Sequence, residues 1–217
     1  TMALRMRRKG IQVFIIAPLK GHEFYRAARN VGGEFIQISP ASKNCINIME
    51  IRKVDNSVNE LLDGPTLDAS ALAGKIQRLH IFFSLLIPDM SHEEKQLLDE
   101  ALIKTYARKG ITHKNESLTD PQHPEQYKKM PILEDVYNVL LESEDTKRLA
   151  HILNRLVHGS ASSFNQQTNV DLTNKYTVLD ISELTGSSDL LTVGMFVALD
   201  YVWDKAKENR TEEKAIF

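Results

Sequence analysis

One continuous apolar run near the start of the chain restricts its fold more than any other feature. Residues 11–17 read IQVFIIA, and most of these side chains are β-branched or aromatic. A strand with one face in water alternates apolar and polar residues, whereas a strand covered on both faces does not. The run therefore predicts a central parallel strand.

The segments on either side of this run predict one unit of an open α/β sheet. Residues 1–10 predict a short helix with cationic residues in its last turn and a glycine stop at Gly10. Residues 22–31 predict a helix closed by two glycines, and residues 34–38 predict a second strand. Strand, helix and strand joined by short connections indicate the α/β class.

The middle of the chain, residues 67–157, changes to helical periodicity. A first helix covers residues 69–87, Ser91 and Glu94 predict a capping box that opens the second, and Pro131 opens the third. A polar surface loop over residues 110–130 and a fourth helix over residues 144–156 complete a helical subdomain. Its predicted inward positions are Leu72, Ile76, Leu79, Phe83, Leu86, Leu97, Leu98, Leu102, Ile103, Tyr106, Leu133, Val136, Tyr137 and Leu140.

The sheet pattern returns in the last part of the chain. Residues 175–181 (KYTVLDI) predict a strand, and residues 189–208 predict a long helix. We interpret Trp203 as a core anchor of that helix rather than as a platform for base stacking. The helix's predicted apolar positions are Leu190, Val193, Phe196, Val197, Leu199 and Trp203.

These patterns predict one α/β domain that is interrupted by a helical insertion. The two parts of the α/β domain cover residues 1–64 and 158–217, and the insertion covers residues 65–157. The first limit rests on the strong break at Asp63-Gly64-Pro65, and residues 44–52 before it read as extended.

Composition excludes several classes of protein. The 217 residues are 42% hydrophobic, which is enough for a buried core, and their longest apolar run, residues 81–87, is too short to span a membrane. The single cysteine, Cys45, excludes an internal disulfide and a multi-cysteine metal site, and we interpret it as a small buried residue rather than a nucleophile. The histidines show no ligand spacing, so we predict no metal site.

One group of basic residues in the sequence is a candidate for contact with nucleic acid. A net charge of -2 gives no field that would hold DNA, so such contact requires a patch. The basic residues of the first predicted helix are Arg5, Arg7, Arg8 and Lys9. Their favoured interpretation is a solvated face at a helix C-terminus, and contact with DNA is the alternative.

Chemistry in an open α/β sheet is expected beyond the carboxyl ends of its strands. Asp180, at the end of one predicted strand, and Glu183 beyond it could orient a water or a magnesium ion. The favoured interpretation is helix capping by Asp180 or Ser182 with a solvated Glu183. The sequence contains no G-x-x-x-x-G-K-[ST] loop and no G-x-G-x-x-G, H-E-x-x-H or nucleophile-elbow motif, so we assign no catalytic residue.

A polar segment lies where the helical subdomain returns to the sheet. Residues 158–169 read HGSASSFNQQTN, rich in glycine, hydroxyl and amide groups. Two interpretations stay open. The segment is either a polar hinge loop or a loop that faces a nucleotide or a neighbouring subunit and moves with hydrolysis.

Six segments stand out by their order along the chain: IQVFIIAPLKGHEF, GGEFIQISP and CINIMEI, then HGSASSFNQQTNVDL, KYTVLDISEL and VALDYVWDKAKENR. In this order and combination they resemble the conjugative ATPases of the TraE/TrsE type, which occur on mobile elements and power type IV secretion. The segments extend over nearly the whole chain. One departure is Ala17-Pro18-Leu19, followed by Lys20, where that family often has Asp-Pro-Glu, which puts an acidic role there in doubt.

The resemblance implies a partial RecA-like P-loop NTPase sheet, of the FtsK/HerA-like motor type, with an inserted all-helical subdomain. It implies ATP and Mg²⁺ as cofactors of a parent protein that works as a hexamer at the cytoplasmic face of the cell membrane, with the secretion channel and coupling proteins as partners. It also implies that the phosphate-binding loop precedes Thr1 and the magnesium-orienting motif follows Phe217. We therefore expect a fragment that binds no cofactor and hydrolyses no ATP alone.

The site residues implied for the parent lie in and before the polar segment. They are Asn165, Gln166 and Thr168 for the nucleotide, and Arg155 for contact across a subunit boundary. The alternative function is a non-catalytic docking module, in which the helical part, residues 67–157, binds a protein of the secretion assembly.

Overall fold

The structure, a computed structural model, describes residues 2–53, 69–209 and 211–217. Within them the chain divides into two compact units. The sheet unit holds residues 2–46 and 169–217, apart from residue 210, and the helical unit holds Asn47–Lys53 and residues 69–168. In chain order the elements are α1 (Met2–Arg8), β1 (Gln12–Ala17), α2 (Gly21–Asn30), β2 (Glu34–Gln37), α3 (Ala71–Leu86), α4 (His92–Arg108), α5 (Leu133–Leu140), α6 (Lys147–Val157), β3 (Tyr176–Asp180), α7 (Ser188–Lys207) and β4 (Lys214–Ile216).

The predicted central parallel strand is confirmed. All of β1 is buried, and it pairs in parallel with β3 on one side and β4 on the other. Strand β2 pairs in parallel with β3, which gives the order β2-β3-β1-β4. Because β1 is covered on both faces, it has no polar side to alternate with its apolar side.

Helices cover the two faces of this sheet. Val13, Ile15 and Ala17, which point to one face of β1, share a core cluster with Ala3 of α1 and Ala28 of α2. Helix α7 also contacts β1, and it contributes no residue to that cluster. We conclude that α1 and α2 pack on one face of the sheet and α7 on the other.

The helical unit follows the predicted helices closely. The predicted stripe of α3 is buried, and the capping box of Ser91 and Glu94 is present at the start of α4. Helix α5 begins two positions after Pro131, and a 3₁₀ turn, Glu144–Thr146, leads directly into α6. One inward prediction is wrong, because Ile103 is 36% exposed.

The prediction for Trp203 is also wrong. Trp203 is 56% exposed and Leu199 is 43% exposed, whereas Asp200 and Asp204 are buried. Positions 193, 197, 200 and 204 form one stripe of the helix and face inward, so positions 199 and 203 fall on the outer face. The apolar character of Leu199 and Trp203 predicts inward positions, but two of the inward positions are occupied by Asp200 and Asp204.

The observed units differ from the predicted domain limits. The residues on which the first limit rests, 63–65, lie outside the described part of the chain, and the extended segment before them forms no regular strand in its described residues. Around the second limit, residues 158–168 belong with the helices, as do Asn47–Lys53. Among the described residues, no helix is both long and apolar enough to cross a membrane.

Candidate functional site

The carboxyl edge of the sheet centres on Asp180, the last residue of β3. It lies between Ala17 of β1 and Gln37 of β2 in the strand register, and its side chain is 4% exposed. The backbone N–H of Ile181 donates to the Ala17 carbonyl at 3.0 Å, so the pairing of β1 and β3 continues past the end of β3. The Asp180 carboxylate is therefore held in place by the central strands.

Gly21 allows this carboxylate to approach the start of α2. A Cβ atom at Gly21 would lie 2.6 Å from Oδ1 of Asp180, closer than carbon and oxygen can pack. The preceding residue, Lys20, adopts the left-handed conformation with φ 60°, which turns the chain from β1 into the helix. The close packing of Gly21 on Asp180 depends on the missing side chain.

Glu183 is exposed as predicted, but the 3₁₀ turn Ser182–Leu184 has no side-chain cap, so the predicted helix cap is not formed by Asp180. Oδ1 of Asp180 accepts a hydrogen bond of 3.0 Å from the backbone N–H of Ser182. A carboxylate beside the N-terminus of α2 is also favoured by the helix dipole. Here the protein's own carboxylate occupies the position in which a phosphate would be stabilised.

The second candidate region is the return loop, which we define as residues 158–168. Its first turn packs tightly, since a Cβ atom at Gly159 would lie 2.7 Å from Cα of Arg155. Asn165 then accepts a hydrogen bond of 2.8 Å from the backbone N–H of Glu134, in the first turn of α5. Asn165 thus caps a helix of the same unit from a distant part of the sequence.

Thr168 takes part in a polar network around Asn47. The hydroxyl of Thr168 accepts a bond of 3.0 Å from the Asn47 backbone N–H and donates to Glu50 at 2.5 Å. The side chain of Asn47, which is fully buried, donates to the Pro131 carbonyl at 2.9 Å and to Gln167 at 3.3 Å. The network ties Asn47–Lys53, the start of α5 and the return loop together.

The structure separates the predicted site residues by environment. The side chains of Asn165 and Thr168 are half-buried and bond within the helical unit, whereas Gln166 and Arg155 are exposed. Their assignment to nucleotide and to a subunit boundary stays a prediction. The sequence does not single out Gln167, whose side chain donates to the Met130 carbonyl at 2.8 Å. No sequence signal shows which of the adjacent Gln166 and Gln167 bonds within the unit.

Cys45 is buried as predicted. It is 1% exposed, and burial raises the pKa of its thiol, which disfavours the thiolate needed for nucleophilic chemistry. Its backbone N–H donates to Asn169 at 2.8 Å within the sheet unit. Within the part of the chain that the structure describes, no group of three or more His, Cys, Asp or Glu side chains could hold a metal ion.

Comparison with known proteins identifies the fold. A solved structure of VirB4 from Thermoanaerobacter pseudethanolicus superposes with a TM-score of 0.80, over 99% of this chain and 76% of that chain. The chain shares the fold of VirB4. Sequence identity with VirB4 over this match is 24%. The predicted α/β class with a helical insertion is therefore confirmed, and the likeness to VirB4 is one of fold.

Sequence comparisons add no further relative. No family model matches the chain, and no curated protein matches it. Residue roles in this chain must therefore be argued from its own side chains and contacts.

Proposed function

We propose that this chain is part of a motor ATPase of the VirB4 and TraE type, which powers type IV secretion and conjugative DNA transfer. The observation that carries the proposal is the likeness of its fold to VirB4 over 99% of the chain. The order of the segments over residues 11–51 and 158–210 supports the same family from sequence. A fold alone hosts many functions, so the proposal rests on the agreement between fold and segment order.

ATP and Mg²⁺ would belong to the parent protein rather than to the residues described here. The 217 residues contain no glycine-rich loop with the lysine and hydroxyl that hold phosphates and magnesium. At the carboxyl edge, the N-terminus of α2 already faces the Asp180 carboxylate, which would repel a phosphate. We therefore expect neither a triphosphate site in the described residues nor ATP hydrolysis by this chain alone.

Within this function the return loop supplies one candidate side chain for nucleotide. Asn165 and Thr168 hold the loop through their bonds to Glu134 and Asn47, so we assign them a positioning role. Gln166 is exposed between them and carries an amide that can both donate and accept. Arg155, also exposed, is the candidate for contact with a neighbouring subunit.

The proposal includes an assembly and a location. The parent would act as a hexamer in the cytoplasm, at the inner face of the cell membrane, with the secretion channel and coupling proteins as partners. A hexamer places side chains of one subunit at the site of the next, which is the role proposed for Arg155.

ATP turnover tests the proposal. The 217-residue chain and a longer protein, extended at both ends in the same reading frame, are assayed side by side with Mg²⁺. We expect turnover by the longer protein only, and we expect Gln166→Ala to lower it more than the exposed control Asn138→Ala. A folded longer protein that neither contains a phosphate-binding loop nor hydrolyses ATP would contradict the proposal.

One observation favours a second candidate, a docking module. The helical unit exposes Ile81, Ile103 and Leu141 to solvent, by 51%, 36% and 37%. Exposed apolar side chains are candidate contacts for another protein. If the helices dock a partner of the secretion assembly, hydrogen exchange around these residues slows in its presence without any ATPase activity. Equal exchange with and without candidate partners would exclude the docking module.

A further inference from the structure

We infer that the basic ends of α1 and α2 form one surface that binds the phosphate backbone of a nucleic acid. The surface, which we call the basic end, comprises Arg5, Arg7, Arg8 and Lys9 with Arg26 and Arg29. It lies at the edge of the sheet opposite the carboxyl edge. The inference does not depend on the proposed ATPase, and its test is separate.

Topology brings the two groups of basic residues to the same end of the sheet. Helix α1 leads into the amino end of β1 through Lys9, so its last turn lies at that end. Helix α2 starts at the carboxyl end of β1 and runs back to the amino end of β2. Because β1, β3 and β2 are parallel, the C-terminal halves of both helices meet at the amino edge.

Packing places the two helices side by side on one face. Ala3 and Ala28 belong to the same core cluster, and α1 packs against β1 while α2 packs against β2 and β3. In the strand order these positions are adjacent, and neighbouring helix axes on a sheet lie about 10 Å apart. The exposed side chains Arg5, Arg8, Lys9, Arg26 and Arg29 therefore share one continuous surface.

These cations have no carboxylate partners among the described residues. None of them forms an ion pair there, and Arg29 donates only to the Tyr25 hydroxyl, at 3.4 Å. The acidic groups of the sheet unit have other surroundings. Glu212 pairs with Lys175 at 3.4 Å. Burial, together with the charge of Asp171, raises the pKa of Glu34. The α2 arginines thus do not stabilise the Glu34 carboxylate.

Cations of the helical unit provide the contrast. Lys104 and Arg108 both pair with Glu142, at 2.7 and 2.6 Å, and Arg148 pairs with Asp89 and Glu94. A group of exposed cations left unpaired on one surface repels itself unless an anion binds. The basic end therefore has the charge arrangement of an anion-binding surface.

The side chains present favour nucleic acid over a lipid surface. Nearly all are arginines, whose planar guanidinium groups match phosphate oxygens in pairs. Tyr25, 43% exposed beside Arg29 and held edge-on by Phe35 at 5.2 Å between ring centroids, offers a stacking surface for a base. Helix α1 directs Ala3 and Leu4 into the core of the sheet unit, so it has no apolar face to insert into lipid.

Salt-dependent binding by the full chain tests the inference. Fluorescence anisotropy follows binding of a labelled single-stranded oligonucleotide of about 16 nucleotides across a range of NaCl concentrations. If all the basic side chains contact phosphate, the slope of log K against log salt is about -4. Arg5→Gln, Arg8→Gln and Arg26→Gln combined should bring it to about -2.

A matched control removes the same charge elsewhere. Lys43→Gln, Lys114→Gln and Lys129→Gln combined alter equally exposed cations and should leave the slope unchanged. Thermal melting checks that both triple variants fold. If the Arg5, Arg8 and Arg26 triple variant does not fold, the three single variants are measured instead, and each should reduce the magnitude of the slope by about 0.7.

Three results would overturn the inference. They are no binding by the unaltered chain at low salt, an equal loss of slope in the two triple variants, and binding to phosphatidylserine vesicles without binding to the oligonucleotide.

Discussion

The two units differ in where their polar and charged residues lie. In the helical unit, buried polar side chains turn back onto the unit's own backbone: Asn47 bonds to Pro131, and the buried Lys75 donates to the Ile48 carbonyl at 3.1 Å. The sheet unit also buries polar side chains, such as Gln12 and Asp200, but it carries charged groups at the two ends of its strands as well, with Asp180 at one end and the basic residues of α1 and α2 at the other. Internal networks specify one structure, whereas groups at strand ends can meet a ligand. Function is therefore to be sought on the sheet unit and at Gln166.

The largest effect is expected from breaking the network of the helical unit. Asn47→Ala removes the bonds to Pro131, to Gln167 and from the Met49 backbone N–H, and leaves buried partners unsatisfied. We expect the free energy of unfolding to fall by about 3 kcal/mol, measured by denaturant titration followed by circular dichroism. The control Asn138→Ala, on the exposed side of α5, should change it by less than about 0.5 kcal/mol. Equal effects of the two substitutions would show that the network does not hold the unit.

A smaller effect is expected at the carboxyl edge of the sheet unit. Gly21→Ala places a methyl group against the Asp180 carboxylate, so we expect a loss of about 2 kcal/mol. Gly74→Ala, in helix α3 with open space around it, should instead raise stability by about 0.5 kcal/mol. Denaturant titration of both variants compares the two units directly. A neutral Gly21→Ala would mean that Asp180 is not held against α2.

Local patterns of the sequence predicted the elements but not the contacts between distant residues. The buried run of β1 and the capping box of α4 are local patterns, and both were confirmed. The packing of Gly21 on Asp180 joins residues far apart in the chain, and only the strand register shows it. Trp203 was misassigned because Asp200 and Asp204 take inward positions that apolar periodicity would give to other residues.

The same limit applies to the candidate site. The polar composition of the return loop is evident in the sequence. The sequence does not show that the loop belongs to the helical unit. Asn165 and Thr168 bond to Glu134 and Asn47, whose positions depend on how the helices pack.

Acid should weaken the helical unit through its capping box. Hydrogen bonds from the Ser91 backbone N–H and from Arg148 lower the pKa of Glu94. A lowered pKa stabilises the folded state above the ordinary value of 4.5, and this contribution is lost as pH falls through the lower folded value. After allowance for solvent screening we expect a loss of about 0.5 kcal/mol, seen in melting curves below pH 4.5 and absent in Glu94→Gln. If the unaltered chain and Glu94→Gln lose stability equally as pH falls, Glu94 does not cause the acid sensitivity.

The smallest effect is expected at the outer face of α7. Trp203 is exposed, so Trp203→Ser should change the free energy of unfolding by less than about 0.5 kcal/mol. Its neighbour Val202 is fully buried, and Val202→Ala should cost about 2 kcal/mol in the same denaturant titration. A large loss for Trp203→Ser would restore the sequence-based interpretation of Trp203 as a core anchor.

The most direct test of the proposed motor function is calorimetric titration of ATP with Mg²⁺ into two proteins. One is the 217-residue chain, and the other is the protein extended in the same reading frame. We predict binding by the extended protein and none by the chain, because the 217 residues contain no phosphate-binding loop motif. Binding by neither protein, with both folded, would contradict the assignment to a motor ATPase.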